Sequence, residues 1–505
     1  MIAASFFSLA AVPVALHYLN NDKERFALWL LMSTITGYMT LIDLGMSGSV
    51  ARLLVDYKDR RDGGEYGSLI KTGCLVLLVQ AAIILALGIA LAPLLASVLK
   101  IKPYLQSEFI RLLGWQSGSM ALAFALRIFS HLLNAHQRSD IQNYGQISGL
   151  CLNFGLLWLF FRAGHGVFSL AWATLLTNLY GGLVCMVAVW RLKLLPQRGA
   201  WGTVSSARFG EMFRYGQAMF LVALGTQLIM ASQILIIQRS LGEVAATMWG
   251  LGTRMFFLVS QLIWRISSTA GLAFSEMIVR GERQKLQARY REMVIVTASL
   301  SGFCAVGFVL CNSIFVMLWT KEEVQWPSGN DLALGVWMVV LAVLHCHNAL
   351  ILLTKEIGFM RYVYFLEGLV FVAMALIVAK HGGLLAVVLS SILCSCLFSG
   401  AYGIWRIHHY FQVPLREVGI GWLAPMGRFL AAFCPVALAT WYLSLWIELP
   451  VLRLASRVLV FATIGTFLLL RLGLPPSFQA ELLARAPRIM SPLLGRIFPT
   501  QPRAN

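Results

Sequence analysis

Residues 29–58, WLLMSTITGYMTLIDLGMSGSVARLLVDYK, begin as an apolar run long enough to span a bilayer and carry a carboxylate, Asp43, near the middle. An ionisable side chain at that depth is costly unless it faces protein or water. On a helix that turns about 100° per residue, Thr36, Asp43 and Ser47 share one narrow stripe, which we expect to face inward. Two interpretations stay open: Asp43 lines a pathway, or it is a buried polar residue that pairs with an arginine or caps a break near Gly45.

The whole chain has the composition of a polytopic membrane protein. Its 505 residues are 59% hydrophobic and 12% charged, with a mean hydropathy of +0.75. Apolar runs of about 20 residues recur from end to end, so we predict an all-α integral membrane protein with about 14 transmembrane helices. The net charge of +18 would suggest nucleic acid as a partner of a soluble protein. Here most of the excess lies in loops on one side of the membrane, and no nucleic acid is expected.

Charge also predicts the topology. With the N-terminus in the cytoplasm, about 25 Lys and Arg residues lie in inner loops and the tail against about 10 in outer loops, so both termini are predicted to be cytoplasmic. The longest polar connection between spans separates six spans from the next six. The predicted organisation is a six-helix bundle over 1–195, a cytoplasmic linker over 196–214, a second six-helix bundle over 215–412, two additional helices over 413–472 and a cytoplasmic amphipathic tail over 473–505.

Arginines inside two predicted spans suggest an anionic ligand. Arg254, Gln261 and Arg265 share one stripe of the eighth predicted span, residues 246–276, where eleven residues separate the two arginines by about 16 Å. Ile263, on the opposite side of this span, is expected to face lipid. Two cations on one intramembrane face repel each other unless an anionic group lies between them. The planar guanidinium binds phosphate in bidentate fashion and stays charged in a dry site, so phosphate or diphosphate is favoured over a cation. Alternatively, Arg254 snorkels to the interface from the end of its helix.

The fourth span carries a similar stripe. Gln116 and Arg127 lie on one face of it by the same helical arithmetic. We predict that they line a cationic cavity together with the arginines of the eighth span. The alternative for Arg127 is an ion pair with Asp43.

Other candidate sites are weaker. Glu367 in the eleventh span is either a site for a coupling cation or proton, or a structural hydrogen-bonding group. His345 and His347 point away from each other on a helix, and no paired CxxC motif is present, so no metal site is expected. Arg457 lies near a span end, where a snorkelling side chain is expected. Phosphate-binding loops and nucleophile elbows are absent from the sequence, so we predict neither an enzyme nor ATP coupling, no cofactor, and transport that runs downhill or on a gradient of H⁺ or Na⁺.

The chain resembles the polysaccharide-transport family of lipid-linked oligosaccharide flippases, which shares a superfamily with lipid II flippases and with multidrug and toxic compound extrusion transporters. The resemblance rests on residues 38–54, YMTLIDLGMSGSVARLL, on two six-span halves and on two extra spans. It implies a V-shaped pair of bundles that open alternately to the two sides of the bacterial cytoplasmic membrane. A cationic cavity would receive the diphosphate and sugars of an undecaprenyl-linked glycan. The first span is shorter here than is usual in the family.

The leading hypothesis is therefore a flippase for lipid-linked oligosaccharide that serves export of surface polysaccharide. Membrane lipids surround the substrate, and a polysaccharide polymerase and glycosyltransferases are candidate partners. An exporter of small organic cations, coupled to cation entry, is the alternative; it should carry inward acids in place of inward arginines. A membrane-embedded glycosyltransferase or polymerase would want acidic catalytic residues and large outer loops, whereas the outer loops here are short.

Overall fold

The computed structural model describes residues 14–15, 17–18, 23–58, 64–99, 101–197, 199–321, 324, 326–354 and 358–485. Every regular element in these residues is a helix. The helices group into two compact units, unit 1 over Met1–Arg239 and unit 2 over Ser240–Asn505.

In its described residues from Lys23 onward, unit 1 contains eight complete helices and most of a ninth. They are α1 (Lys23–Met39), α2 (Met46–Tyr57), α3 (Glu65–Ala90), α4 (Ala92–Val98), α5 (Pro103–Ala135), α6 (Ser139–Arg162), α7 (Phe168–Arg191), α8 (Ser206–Met230) and α9 (Ser232–Leu241), with a short 3-10 turn (Thr40–Asp43) between α1 and α2. The long helix α5 packs against both α3 and α7, and α8 packs against α2. Helix α8 thus belongs to unit 1, whereas the sequence assigned residues from 215 onward to the second bundle.

The polar connection between α7 and α8 is fixed to the start of α3. Lys71 donates a hydrogen bond from Nζ to the carbonyl of Gly202 at 2.9 Å, and Ser68 donates from Oγ to the carbonyl of Thr203 at 2.6 Å. A Cβ on Gly67 would stand 2.5 Å from the Cα of Trp201, so only glycine permits this approach. The connection is therefore packed against unit 1.

Unit 2 contains the remaining helices. They are α10 (Glu243–Gly252), α11 (Arg254–Val279), α12 (Arg283–Trp319), α13 (Ser328–Leu353), α14 (Met360–Ser395), α15 (Ala401–Phe411), α16 (Ala424–Ser444), α17 (Pro450–Val460), α18 (Thr466–Leu468) and α19 (Pro476–Arg485). Four π-helical turns separate or precede the later helices: Cys396–Gly400, Glu417–Gly421, Phe461–Gly465 and Leu469–Gly473. Gly383, with φ 62°, turns the chain within α14, in agreement with two predicted spans there.

Helix α12 is central to unit 2, because α11, α13, α16 and α17 all pack against it. Small residues allow close contact, as is typical of helices in membranes. A Cβ on Gly307 of α12 would stand 2.5 Å from the ring of Phe461, and one on Gly335 of α13 would stand 3.0 Å from Val309. Tyr290, near the start of α12, is fully buried within an apolar cluster.

Arg457 contributes to this packing and does not snorkel as predicted. Its side chain on α17 is buried, with 4% exposure. It donates from Nε to the hydroxyl of Ser444 at 2.8 Å and from Nη1 to the carbonyl of Leu310 at 2.7 Å. The arginine therefore joins α17 to α16 and α12, and the prediction was wrong because helix position alone does not reveal a polar partner inside the unit.

Nine helical segments in the described part of the chain are long and apolar enough to cross a membrane. The predicted class of all-α integral membrane protein is thus confirmed, while the count of fourteen spans stays a prediction. Most of the predicted first span, residues 1–19, and residues 486–505 of the predicted tail lie outside the described residues. The first helix of the tail, α19, is fixed by Gln479, which donates to the carbonyls of Leu470 and Leu474.

Candidate functional site

The second predicted span is broken at the position of its carboxylate. Helix α1 passes into the 3-10 turn, and then Leu44 (φ 49°) and Gly45 (φ 72°) adopt left-handed conformations before α2 begins. Positive φ is uncommon for leucine, and strained backbone of this kind tends to occur at functional sites. The break near Gly45, which the sequence left open as one of two interpretations, is therefore present.

Asp43 caps the helix that follows the break. Both of its carboxylate oxygens accept from the backbone N–H of Ser47 at 3.2 Å, and Oδ1 also accepts from the Ser47 hydroxyl. These contacts satisfy donors that a helix start leaves unpaired. Asp43 thus has a structural task beside any functional one.

Gln80 donates hydrogen bonds to the backbone carbonyls that precede the break. Its Nε2 on α3 donates to the carbonyls of Ile42 and Asp43 at 3.1 and 2.7 Å, while its Oε1 is buried without a hydrogen-bond partner. This residue was not among those predicted from the sequence. A signal was present, since Gln80 interrupts the apolar run LVLLVQAAIILAL of α3.

Arg127 on α5 completes the cluster. Its Nη1 lies 3.5 Å from Oδ1 of Asp43 and donates to the Ser47 hydroxyl at 3.1 Å. Its Cζ lies 3.8 Å from the ring centroid of Phe124, a distance typical of a cation–π contact. The side chains of Arg127 and Asp43 keep 28% and 17% exposure. We call the set Asp43, Ser47, Gln80 and Arg127 the break cluster; in it the predicted alternative of an Asp43–Arg127 ion pair is present.

Gln116 lies half-buried on α5, eleven residues before Arg127. Helix α5 spans 33 residues without a break, so the two side chains are separated by about 16 Å along one face. Although α5 is long enough to cross a membrane, it is not among the nine segments that are also apolar enough. Its polar residues lower its hydropathy, since it carries these two residues together with the buried Ser117 and Ser119.

Helix α11 carries the second predicted stripe. Arg254 is its first residue and is half-buried, whereas Gln261 and Arg265 are exposed. The predicted eighth span begins earlier but is divided, because α10 ends at Gly252 and Thr253 caps it by donating to the carbonyl of Trp249. Like α5, α11 is long enough but not apolar enough to count among the nine segments.

The opposite face of α11 is buried within unit 2. Phe256, Ser260 and Ile263 have exposures of 2% or less. We expected Ile263 to face lipid, and this expectation is wrong: a helical stripe shows which residues lie opposite one another but not which side meets the core. The polar stripe therefore points away from the core of unit 2 and presents Gln261 and Arg265 at the protein surface.

Glu367 is not at the surface. Its side chain is 1% exposed in α14, where it accepts from the Ser395 hydroxyl at 3.0 Å and from the Ser399 backbone N–H at 3.1 Å. The π-helical turn Cys396–Gly400 shifts the backbone pairing there and makes the Ser399 N–H available. These contacts correspond to the structural interpretation of Glu367.

A buried carboxylate lies at the start of α13. It was not among the residues predicted from the sequence. Asp331 accepts from the amide of Asn312 and from the indole of Trp326, both at 2.7 Å, and from the hydroxyl of Ser313. Asn312 also donates to the carbonyl of Gly252, where α10 ends. This network fixes the position at which α11 begins and thereby orients its polar stripe.

The fold indicates the class of protein. Two units of long, largely apolar helices, with polar stripes on α5 and α11, are the architecture of a multi-pass membrane protein. The chain belongs to the family of polysaccharide biosynthesis proteins, since the model for that family matches residues 31–323. A comparison with curated protein sequences finds no match.

Solved structures share this fold at low sequence identity. The lipid II flippase MurJ, in an inward closed conformation, is 11% identical with a TM-score of 0.64, over 95% of this chain and 99% of that one. An inward-facing multidrug resistance MATE family transporter of the MOP superfamily is 16% identical with a TM-score of 0.62, over 81% of this chain and 96% of that one. A MOP superfamily transporter from Pyrococcus furiosus, described as having a binding pocket of reverse polarity, is 15% identical with a TM-score of 0.57, over 81% and 95%.

These structures share the fold that the resemblance implied. They are named as a flippase and transporters.

Proposed function

We propose that the chain is a flippase that translocates an undecaprenyl-diphosphate-linked oligosaccharide across the bacterial cytoplasmic membrane by alternating access. The glycan would serve a surface polysaccharide such as O-antigen, capsule or exopolysaccharide. Membership in a polysaccharide biosynthesis family supports a saccharide substrate. The fold supports movement of a membrane-embedded molecule, since one protein that shares it is named a lipid II flippase.

The main structural support for this proposal is the exposed stripe of α11. Arg265 and Gln261 are exposed on a helix whose other face is packed in the core of a membrane-type bundle, and Arg254 stands half-buried at its start. Guanidinium groups suit a diphosphate because they bind phosphate oxygens in bidentate fashion and do not lose their charge. Gln261 lies one turn before Arg265 and adds hydrogen-bonding groups for sugar hydroxyls.

On unit 1 we propose that Gln116 and Arg127 also bind the substrate. Asp43 pairs with Arg127 and partly neutralises its charge, which weakens the attraction of Arg127 for a phosphate. Its role would therefore be weaker than that of Arg265, and Gln116 would contribute polar contacts alone.

An exporter of small organic cations is the second candidate. The shared fold with a multidrug resistance transporter favours it. The electrostatics of the described residues do not, because Asp43 is opposed by Arg127 and Glu367 is enclosed among serines. We therefore rank the flippase first.

The proposal includes cytoplasmic termini and no cofactor. Lipid-linked substrate and membrane lipids are the immediate partners, and a polymerase and glycosyltransferases would act before and after transport. Translocation would run downhill or on a gradient of H⁺ or Na⁺. A reporter enzyme that is active only in the periplasm should be inactive when it is fused after Asn505. Activity of this fusion would contradict the topology.

Reconstitution tests the function. The purified chain is placed in liposomes with a polyprenyl-diphosphate oligosaccharide that carries a fluorophore on its sugar, and a membrane-impermeant reductant is added. We expect the reductant to bleach inner-leaflet substrate as well as outer-leaflet substrate. Protection of the inner leaflet equal to that in protein-free liposomes, together with uptake of an organic cation by the same vesicles, would support the second candidate and reject the flippase.

A further inference from the structure

A pocket of about 450 Å³ lies at one end of unit 2, away from the polar stripe of α11. It is bordered by the end of α11, the start of α12 and the end of α15, and its lining includes Met277, Arg283, Leu286, Arg406, His409 and Tyr410. The apolar segment Met360–Phe411 ends here, as does α11 at Val279, and the 37-residue helix α12 begins here with a polar stretch. Because membrane-spanning segments end at the bilayer surface, the pocket is placed at the level of the lipid headgroups.

The charged part of the lining is cationic. Arg283, the first residue of α12, donates to the carbonyl of Tyr410, and its Cζ lies 5.4 Å from the Tyr410 ring centroid. Arg406 and His409 lie on the last turns of α15. The residues that line this pocket include no carboxylate, and the nearby Glu282 is paired with Lys285 at 2.8 Å.

The rest of the lining is apolar, and an aromatic side chain marks the membrane interface beside it. Met277 and Leu286 supply apolar surface next to the arginines. Trp405 is 49% exposed and stacks on His409, with ring centroids 5.9 Å apart and planes 8° apart. Exposed tryptophans of membrane proteins are enriched at the headgroup level.

We propose that this pocket binds the phosphodiester headgroup of an anionic phospholipid. The two guanidinium groups would bind the phosphate oxygens, and the first carbons of the acyl chains would lie against Met277 and Leu286. Basic pockets between transmembrane helices bind anionic headgroups in this manner. The site is separate from the stripe of α11, so it stands whether or not the chain transports a lipid-linked oligosaccharide.

Native mass spectrometry of the purified full chain in a neutral detergent tests the site. Phosphatidylglycerol, phosphatidylcholine with the same acyl chains, and inorganic phosphate are titrated separately. The pocket variant is Arg283→Gln with Arg406→Gln. The matched control is Arg280→Gln with Arg289→Gln, which removes the same charge from exposed arginines outside the pocket, paired with Glu276 and Glu292.

We expect the wild-type chain and the control to bind one phosphatidylglycerol that phosphatidylcholine does not replace. The pocket variant should bind it at least about tenfold more weakly, because each charge-assisted hydrogen bond contributes that much or more. Equal binding by the pocket variant, equal binding of phosphatidylcholine, or displacement of the lipid by millimolar inorganic phosphate would overturn the proposal. So would preferential binding of a polyprenyl diphosphate at this pocket.

Loss of Arg283 also removes its contact with Tyr410 and could disturb the fold. The single variant Arg406→Gln keeps that contact, and circular dichroism without added lipid should show that it stays folded. It should still bind phosphatidylglycerol about tenfold more weakly. Normal binding by this variant would also overturn the proposal.

Discussion

Nη1 of Arg127 on α5 lies 3.5 Å from Oδ1 of Asp43, and the two side chains keep only 28% and 17% exposure. The pair joins α5 to the point where the second predicted span is broken. We expect Asp43→Asn to lower the melting temperature and the cellular abundance, because it leaves Arg127 without its anionic partner. The double variant Asp43→Asn with Arg127→Gln should recover part of the loss, with a coupling of about 1 to 3 kcal/mol in a double-mutant cycle.

An exposed pair on α2 provides the control for this cycle. Arg52 and Asp56 approach to 3.7 Å, but their side chains are 42% and 49% exposed. Their coupling should stay below about 0.5 kcal/mol because solvent screens it. Equal couplings for the two pairs would contradict the structural role of the break cluster.

The backbone at the break depends on Gly45. Its φ of 72° is left-handed, so Gly45→Ala should destabilise the protein by about 1 kcal/mol or more. Gly48 lies three residues further on in α2, and a Cβ there would meet no atom within 4 Å. Gly48→Ala should therefore be neutral or slightly stabilising. Thermal melting of both variants in detergent checks the prediction, and equal tolerance of alanine at both positions would argue against the break.

Water access distinguishes the polar stripe of α11 from lipid-facing surface. In a variant without the nine native cysteines, single cysteines at Gln261 and Arg265 should react with a membrane-impermeant thiol reagent. A cysteine at Ile263 should not, because that position is 2% exposed. A cysteine at Leu459 should also fail to react, since this residue is 64% exposed but on the apolar segment Pro450–Gly473. Labelling at Leu459 as fast as at Arg265 would show that the stripe of α11 is no more accessible to water than the lipid-facing surface, and would contradict the prediction.

Arg457 tests the packing of unit 2. Arg457→Met keeps much of the side-chain length but leaves the Leu310 carbonyl and the Ser444 hydroxyl without their donor. We expect a loss of about 3 kcal/mol, seen as a lower melting temperature and lower abundance. Arg471→Met, at an exposed position later in the same segment, is the control and should change little. Unchanged melting of the Arg457 variant would remove its assigned role.

Hydropathy and charge were sufficient to predict the protein class and the polar stripes, because apolar runs of membrane length and helical spacing are local properties of the sequence. The break at Leu44 and Gly45 was only one of two open interpretations, since it depends on distant partners such as Gln80 and Arg127. The burial of Ile263 and Arg457 could not be predicted from spacing, because spacing does not show which face of a helix meets its neighbours. Gln80 could have been singled out as a lone amide in an apolar run.

The proposed flippase function depends most on Arg265, the exposed guanidinium of α11. The decisive measurement compares surface glycan export with protein abundance in a deletion strain that carries Arg265→Ala, Arg265→Lys or Arg280→Ala. If Arg265 binds the diphosphate, the Ala variant should be as abundant as the wild type on immunoblots yet export no glycan. The Lys variant should export some, because it keeps the charge but not the bidentate geometry. Arg280→Ala, which removes an exposed arginine just after α11, should export normally; normal export by Arg265→Ala would contradict the proposed binding of the substrate by α11.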